Sequence, residues 1–370
     1  MILVLHNRYR TIGGEERAVE DLLWLIRERL GEEAELLTRD SALLGRVGAA
    51  AGLLGGGLRP DEVARAVRRT RARIVHAHNL HPTLGWRALA AAREAGARVV
   101  LHLHQYRLVC AVGVCFTHGE ECTRCHGRNT VPGVLRNCRG SLVEAVTYGA
   151  ALALWQPRLA GLVDAFVVPS AFALDRLHEL GAPIGNAHVL PHVIRRFADE
   201  SAAADGDHAL VVARLAPEKG VDVAIEACRI AGIPLVVAGD GPERPRLAAA
   251  AGPDVTFTGR VEDSELERLR RGAAVALAPS RSAETFGLAA AEAMASGLPV
   301  AASRVGALPE LVPGEWLVEA GDPRALAGAI GRLRDGAAQA GAVAIERARR
   351  LTEPAVVADR LARIYAAVDA

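Results

Sequence analysis

Short apolar runs alternate with stretches of helical period along the whole chain. Ile2–Leu5, Arg73–His76, Arg98–Leu103, Asp164–Val168, His208–Ala213, Pro234–Ala238, Val255–Phe257, Ala273–Leu277 and Trp316–Val318 read as strands. Several are apolar without alternation, as expected of parallel strands covered on both faces. Helices are predicted over about Glu16–Leu30, Asp61–Thr70, Gly287–Ser296, Pro323–Arg334 and Pro354–Val368, with another capped by Ser170. Glycine-rich Gly45–Leu58 is expected to be mobile. Strand and helix in strict alternation predict an α/β fold of two doubly wound, Rossmann-like domains. Small and polar residues thicken around 185–205, so the domains are drawn as 1–190 and 191–353, followed by a closing helix over 354–370.

The densest chemistry lies between Ala278 and Val312. A strand leads into the loop Pro279–Thr285, and a helix begins at Gly287. The loop therefore sits at the carboxyl end of a parallel strand, where open α/β sheets bind ligands. Glu284 precedes the helix and Glu292 lies just over one turn inside it. Helical side chains lean toward the N-terminus, so Glu292 leans back toward Glu284. The amides of Phe286, Gly287 and Leu288 stand between them at the positive end of the helix dipole, a favourable place for an anion. A ligand carrying both phosphate and hydroxyls, such as a nucleotide-sugar, matches an anion site flanked by carboxylates. Two glutamates eight apart would by themselves equally be solvated helix-end residues.

A second anion site is predicted upstream, in the loop RLAPEKG after strand His208–Ala213. Arg214 and Lys219 stand there at a strand end and a helix start, two cations suited to a diphosphate. Lys219 is the only lysine in a chain whose other basic side chains are all arginine. A position that keeps a compact ammonium is one that needs it, although chance gives the same pattern. Gly239-Asp240-Gly241-Pro242 and Thr258-Gly259-Arg260-Val261 follow two further strands. Near the start, Gly13-Gly14 precedes a helix carrying Glu15 and Glu16, which reads as a phosphate-friendly turn or simply a tight one. Histidines end two strands, in HAHNLHP and HLHQYRLVC; of these His104 is favoured for a site, with His76 and His102 turned into the sheet.

Glu284-x7-Glu292 with Phe286-Gly287-Leu288 between and GLPV after it resembles the E-x7-E signature of glycosyltransferase family 4. These are retaining enzymes of the GT-B fold. Arg214-x4-Lys219, the Gly239 turn and the Arg304–Glu310 turn resemble further motifs of that family, with Ala307 standing where the last normally has glycine. The resemblance implies two Rossmann-like domains facing across a cleft, with the C-terminal helix crossing back to the first. It implies that Glu284 and His104 orient the transferred sugar, Glu292 holds the ribose, and Arg214 and Lys219 take the diphosphate. Backbone at Gly14, Gly239, Arg260, Val261, Phe286, Gly287 and Leu288 would line the donor. The donor would be a nucleoside-diphosphate-sugar, the acceptor a hydroxyl on a saccharide, lipid-linked saccharide or natural product. The chemistry would require no metal or other cofactor. A non-catalytic nucleotide-sugar sensor and a GT-B epimerase are the alternative readings.

Composition narrows this further. At 370 residues two ordinary domains are affordable in length, and with aromatics at 4% their cores must be Ala, Val and Leu. A net charge of +1 gives no global pull toward nucleic acid, so phosphate binding must be local. MILVL is too short for a signal core and no stretch reads as a membrane span, so a cytoplasmic protein is expected, compatible with peripheral membrane contact. Five of six cysteines fall between Cys110 and Cys138. Cys122-x2-Cys125 flanked by Cys110 and Cys138 has the spacing of a structural zinc site, with Cys115 or His126 as substitute ligands; reduced thiols in a core fit equally. Asp205-Gly206-Asp207 spells a metal-binding D-x-D but lies ahead of a strand, away from any predicted site.

Overall fold

The structure is a computed structural model that describes residues 1–9 and 13–370; residues 10–12 of the predicted first loop lie outside the described residues. The chain divides into two compact units. The first holds Met1–His118, Cys122–Val193 and Pro354–Ala370, the second Ile194–Glu353 with Gly119–Glu121.

The strands in chain order are β1 (Ile2–Arg8), β2 (Ala34–Asp40), β3 (Ile74–Ala77), β4 (Arg98–His102), the two-residue β5 (Phe116–Thr117) and β6 (Glu120–Glu121), β7 (Ala165–Val168) and β8 (Ala187–Val189). The second unit contributes β9 (His208–Val212), β10 (Leu235–Ala238), β11 (Val255–Gly259), β12 (Ala273–Ala278), β13 (Val300–Ser303) and β14 (Leu317–Val318). The first sheet runs β2-β1-β3-β4-β7-β8 and the second β11-β10-β9-β12-β13-β14, and the paired strands in both are parallel. Order reverses between β1 and β3 in one sheet and between β9 and β12 in the other. Those two points are where doubly wound sheets open a crevice at the carboxyl ends of their strands.

Period-2 alternation builds the first unit's two cores. Leu3, Leu5, Val75, Val99 and Leu101 face one cluster, while Ile2, Val4, Ile74 and Val100 face the other. The helix Pro354–Asp369 covers the second face with Val357, Leu361, Ile364 and Val368. Its Tyr365 hydroxyl lies 2.7 Å from His76 Nδ1. The second unit's core is made largely of Ala, Val and Leu, as the scarcity of aromatics requires.

Some elements depart from the sequence reading. β1 extends through Arg8 because its polar end is paired out to Asp40 of β2. Asn7 is buried there, donating to Ser41 Oγ at 2.8 Å and to the His81 carbonyl at 2.7 Å. Gly45–Leu58 is not a mobile loop: Arg46–Leu54 is helical, and Trp155 Nε1 donates to the Leu54 carbonyl at 2.9 Å. Its alanines and leucines supply helix propensity enough to absorb two internal glycines once a packing partner exists. A further helix, Ala337–Thr352, precedes the closing one.

Candidate active site

In the second unit the loops after β9 and β12 flank the point where strand order reverses. Lys219 ends a single 3-10 turn, Pro217–Lys219, after β9. Its Nζ donates to Glu284 Oε1 at 2.6 Å, joining residues 65 apart in sequence. Ser280 Oγ donates to the same oxygen. Burial pushes the Glu284 carboxyl up, but the Lys219 charge, these hydrogen bonds and the Arg214 charge outweigh it and leave its pKa below the usual range. Glu284 is therefore an anion at neutral pH. Arg214 pairs with Glu218, whose carbonyl in turn accepts from the Arg281 amide at 2.8 Å. Arg281 closes the arrangement with two bonds to Asp222, 2.9 and 2.8 Å long.

Two glycines set the backbone around Glu284. Gly287 caps the helix Leu288–Ala295 with φ of 91°, a left-handed conformation that favours glycine, and a Cβ there would lie 2.7 Å from Leu308. At Gly306 a Cβ would fall 2.3 Å from the Glu284 nitrogen, and the next amide, Ala307, donates to the Glu284 carbonyl at 2.8 Å. The turn that carries alanine in place of the expected glycine thus holds the Glu284 backbone directly. The Gly239 turn joins the same rim, where the Leu215 amide donates to the Asp240 carbonyl at 3.0 Å.

The predicted residues do not all meet. Arg214, Lys219, Glu284 and the Phe286–Leu288 helix start come together, with Gly239 on their rim. Arg260 and Val261 follow the edge strand β11, two strands from β9. Glu292 faces Arg270 in an ion pair whose side chains are 12% and 8% exposed, a partner that nothing in the local sequence signals. Ser280 was equally unsignalled, although it stands in the loop itself. Asp207 is exposed and pairs with His208 at the amino end of β9, away from these loops.

In the first unit Gly14 opens the helix Gly14–Glu28, and the Gly13 amide donates to Glu16 Oε2 at 2.7 Å. His104 Nε2 lies 2.8 Å from His78 Nδ1. A cavity of about 60 Å³ opens there, lined by Tyr9, Glu15, His78, His104, Gln105 and Arg107 among others. Burial holds His78, His102 and His104 well below the ordinary histidine range and brings His192 down to about 4, so all four are neutral at pH 7. Glu15, which the sequence offered only as a helix-start acid, accepts from Gln105 Nε2 at 3.0 Å, and burial pushes its pKa up to about 7. A carboxyl raised from 4.5 keeps a proton in the folded chain that the unfolded chain releases, so stability falls as pH rises through that window. Glu15→Gln should therefore unfold at higher temperature than the wild type at pH 8, with the gap closing toward pH 4.5; a pH-independent difference in melting scans would contradict the assignment.

Cys110, Cys122, Cys125 and Cys138 line one small cavity with Phe116 and Pro132. A hydrogen bond from the Cys115 thiol brings Cys110 down to about 6. Among the described residues, the metal-competent clusters with donor atoms within 4.8 Å of one another are histidine clusters, not these cysteines.

Comparison with known proteins completes the picture. Residues 13–192 match the glycosyl transferase 4-like domain, and residues 206–335 match glycosyl transferases group 1. The chain belongs to glycosyltransferase family 4. Its two parallel α/β units have the GT-B fold. The structure of Anabaena Alr3699/HepE in complex with UDP and glucose superposes with a TM-score of 0.66 at 16% identity, covering 98% of this chain and 99% of that one. D-inositol 3-phosphate glycosyltransferase of Acidothermus cellulolyticus is 39% identical over 153 residues, 35% of this chain and 34% of the relative. Phosphatidyl-myo-inositol mannosyltransferase of Mycobacterium leprae is 28% identical over 295 residues, 73% of each chain. The aligned part thus spans about a third of the length of the first of these relatives.

Proposed function

We propose that this family 4 chain moves a hexose from a nucleoside-diphosphate-sugar to an acceptor hydroxyl with retention of anomeric configuration. The observation that carries the reading is the Lys219–Glu284 pair at the switch point of the second sheet, with Arg214 and the Leu288 helix start beside it. As the sugar–phosphate bond breaks, negative charge builds on the departing diphosphate. Lys219, Arg214 and the helix N-terminus are set to stabilise it, each such donor being worth roughly 2–4 kcal/mol in comparable sites. An ammonium has three donors, so Lys219 can keep Glu284 and still reach a phosphate oxygen. Glu284, held ionised, accepts from sugar hydroxyls; His104 also serves the sugar, and Glu292 the ribose. Gly14, Gly239, Arg260, Val261, Phe286, Gly287 and Leu288 contribute backbone to the donor site. The UDP and glucose of the Anabaena complex support a nucleotide-sugar donor, and the inositol-directed names of the relatives support a polyol or lipid-borne acceptor.

Peripheral membrane contact fits the same reading. No helix among the described residues is long and apolar enough to cross a membrane. The helices Arg46–Leu54 and Val131–Leu135 pack on Leu142–Ala160, and Val47, Leu135, Leu142 and Val143 stand exposed on these three elements. A solvated apolar outcrop of that kind, with Arg46 beside it, suits a headgroup layer.

The deciding experiment incubates the protein with labelled UDP- and GDP-hexoses, with and without inositol or lipid-borne acceptors. Transfer with an α-linked product from an α-linked donor is expected. Binding with no turnover would replace the proposal with a sensor, and donor conversion in the absence of acceptor would replace it with an epimerase.

A further inference from the structure

Six imidazoles gather at the carboxyl ends of the first sheet: His6, His76, His78, His102, His104 and His192. His6 meets His78 edge-on at 84°, while the other five rings are stacked or tilted by no more than 32° between neighbours. His102 and His104 have centroids 4.3 Å apart at 15°, and His104 and His192 are 5.3 Å apart at 19°. A neutral imidazole carries one N–H and one lone pair, and both are expected to find partners when buried. His102 is only 4% exposed, yet neither of its ring nitrogens has a hydrogen-bond partner. Packing alone does not account for a buried polar ring, doubly unsatisfied, in the middle of a histidine stack.

We propose that His102, His104 and His192 bind a divalent transition metal of the zinc, cobalt and nickel class through three imidazole nitrogens. The donor atoms of the three already lie within 4.8 Å of one another. Metal–nitrogen bonds of about 2.0–2.1 Å in a tetrahedron require a closer spacing and ring planes that converge on the ion, so binding has to tilt the stacked rings out of parallel. Neutral imidazoles are the ligand form these borderline metals favour. His78 holds the His104 ring by the 2.8 Å bond to Nε2, the kind of outer partner that fixes a ligating imidazole. His192 is half-buried and gives the ion a way in. The neighbouring trio of His76, His78 and His102 is buried throughout and has no half-buried member to admit an ion. Three protein ligands leave a fourth position for water. On the function proposed above, His104 cannot serve sugar and metal together, so an occupied site would inhibit transfer while the metal-free protein remained active.

The test is independent of any transfer assay. The 370-residue chain without an affinity tag is stripped with EDTA and titrated with cobalt(II), followed by visible absorbance. One equivalent should bind, with ligand-field bands and without thiolate-to-cobalt charge transfer. Cys122→Ser with Cys125→Ser should leave the titration unchanged. His192→Gln and His102→Gln should each weaken binding by at least about tenfold, the low end of the loss caused by removing even an outer-shell partner. Circular dichroism checks that each variant is folded; should His102→Gln fail that check, the half-buried His192→Gln decides. Absence of stoichiometric uptake, or a charge-transfer band indifferent to His192→Gln, would overturn the proposal.

Discussion

Lys219→Ala should lower the transfer rate by about 10²–10³-fold while leaving the protein folded. Removing one preorganised donor from a site of developing negative charge costs about 2.7–4 kcal/mol of transition-state stabilisation. Lys219 is the only ammonium side chain in the sequence, so no second lysine can take its place. Its partner is not stranded by the change, because Ser280 still donates to the Glu284 carboxylate. The Lys219 side chain is 26% exposed, so water compensates part of the lost ion pair and the stability cost stays small. The expected signature is a fall in kcat with an unchanged melting temperature. Equal loss of both would make Lys219 a structural residue, and full activity would remove it from the diphosphate site. Lys219→Arg restores charge but spreads it over a planar fork, so it should recover only part of the rate.

Glu292→Ala should act on stability before it acts on binding. It leaves the Arg270 guanidinium buried without its carboxylate, and breaking a buried pair in this way costs about 3–5 kcal/mol. That is a large share of the roughly 5–15 kcal/mol that holds an ordinary protein folded. Removing both charges together avoids the stranded cation, so Arg270→Leu with Glu292→Leu should cost less than Glu292→Ala alone. Urea unfolding of the single and double variants measures the difference. Additive costs would mean that the two side chains do not depend on each other, and Glu292 would then return to a role in ribose binding alone.

How much of this was readable in advance follows from how far each contact reaches along the chain. The doubly wound fold was legible because each strand, loop and helix is a local pattern repeated many times. Lys219 and Glu284 could be named because each stands in a loop directly after a strand, within a motif of close spacing. Their contact depends on β9 lying beside β12, and strand order is a tertiary choice that neither segment encodes by itself. β2 escaped notice because Ala34–Asp40 is a half-exposed edge strand with little apolar pattern. Arg270 lies on a helix whose charges look solvated, and only the fold turns it inward toward Glu292. The histidines divide in the same way. His78 and His104 follow strands that pair in register, so their meeting follows from the sheet. His192 arrives from beyond β8, and its place beside His104 could be seen only in three dimensions. The four cysteines share a cavity that their spacing allowed, without closing into a metal-competent cluster.

The proposed transfer requires a diphosphate held by Arg214, Lys219 and the helix start at Gly287. The most direct measurement is calorimetric titration of UDP and GDP into the wild type and into the Arg214→Ala, Lys219→Ala double variant, with the matching nucleosides as controls. The wild type should bind at least one diphosphate far more tightly than its nucleoside, and the double variant should lose that preference while keeping its fold. A double variant that binds the diphosphate as tightly as the wild type would contradict the account.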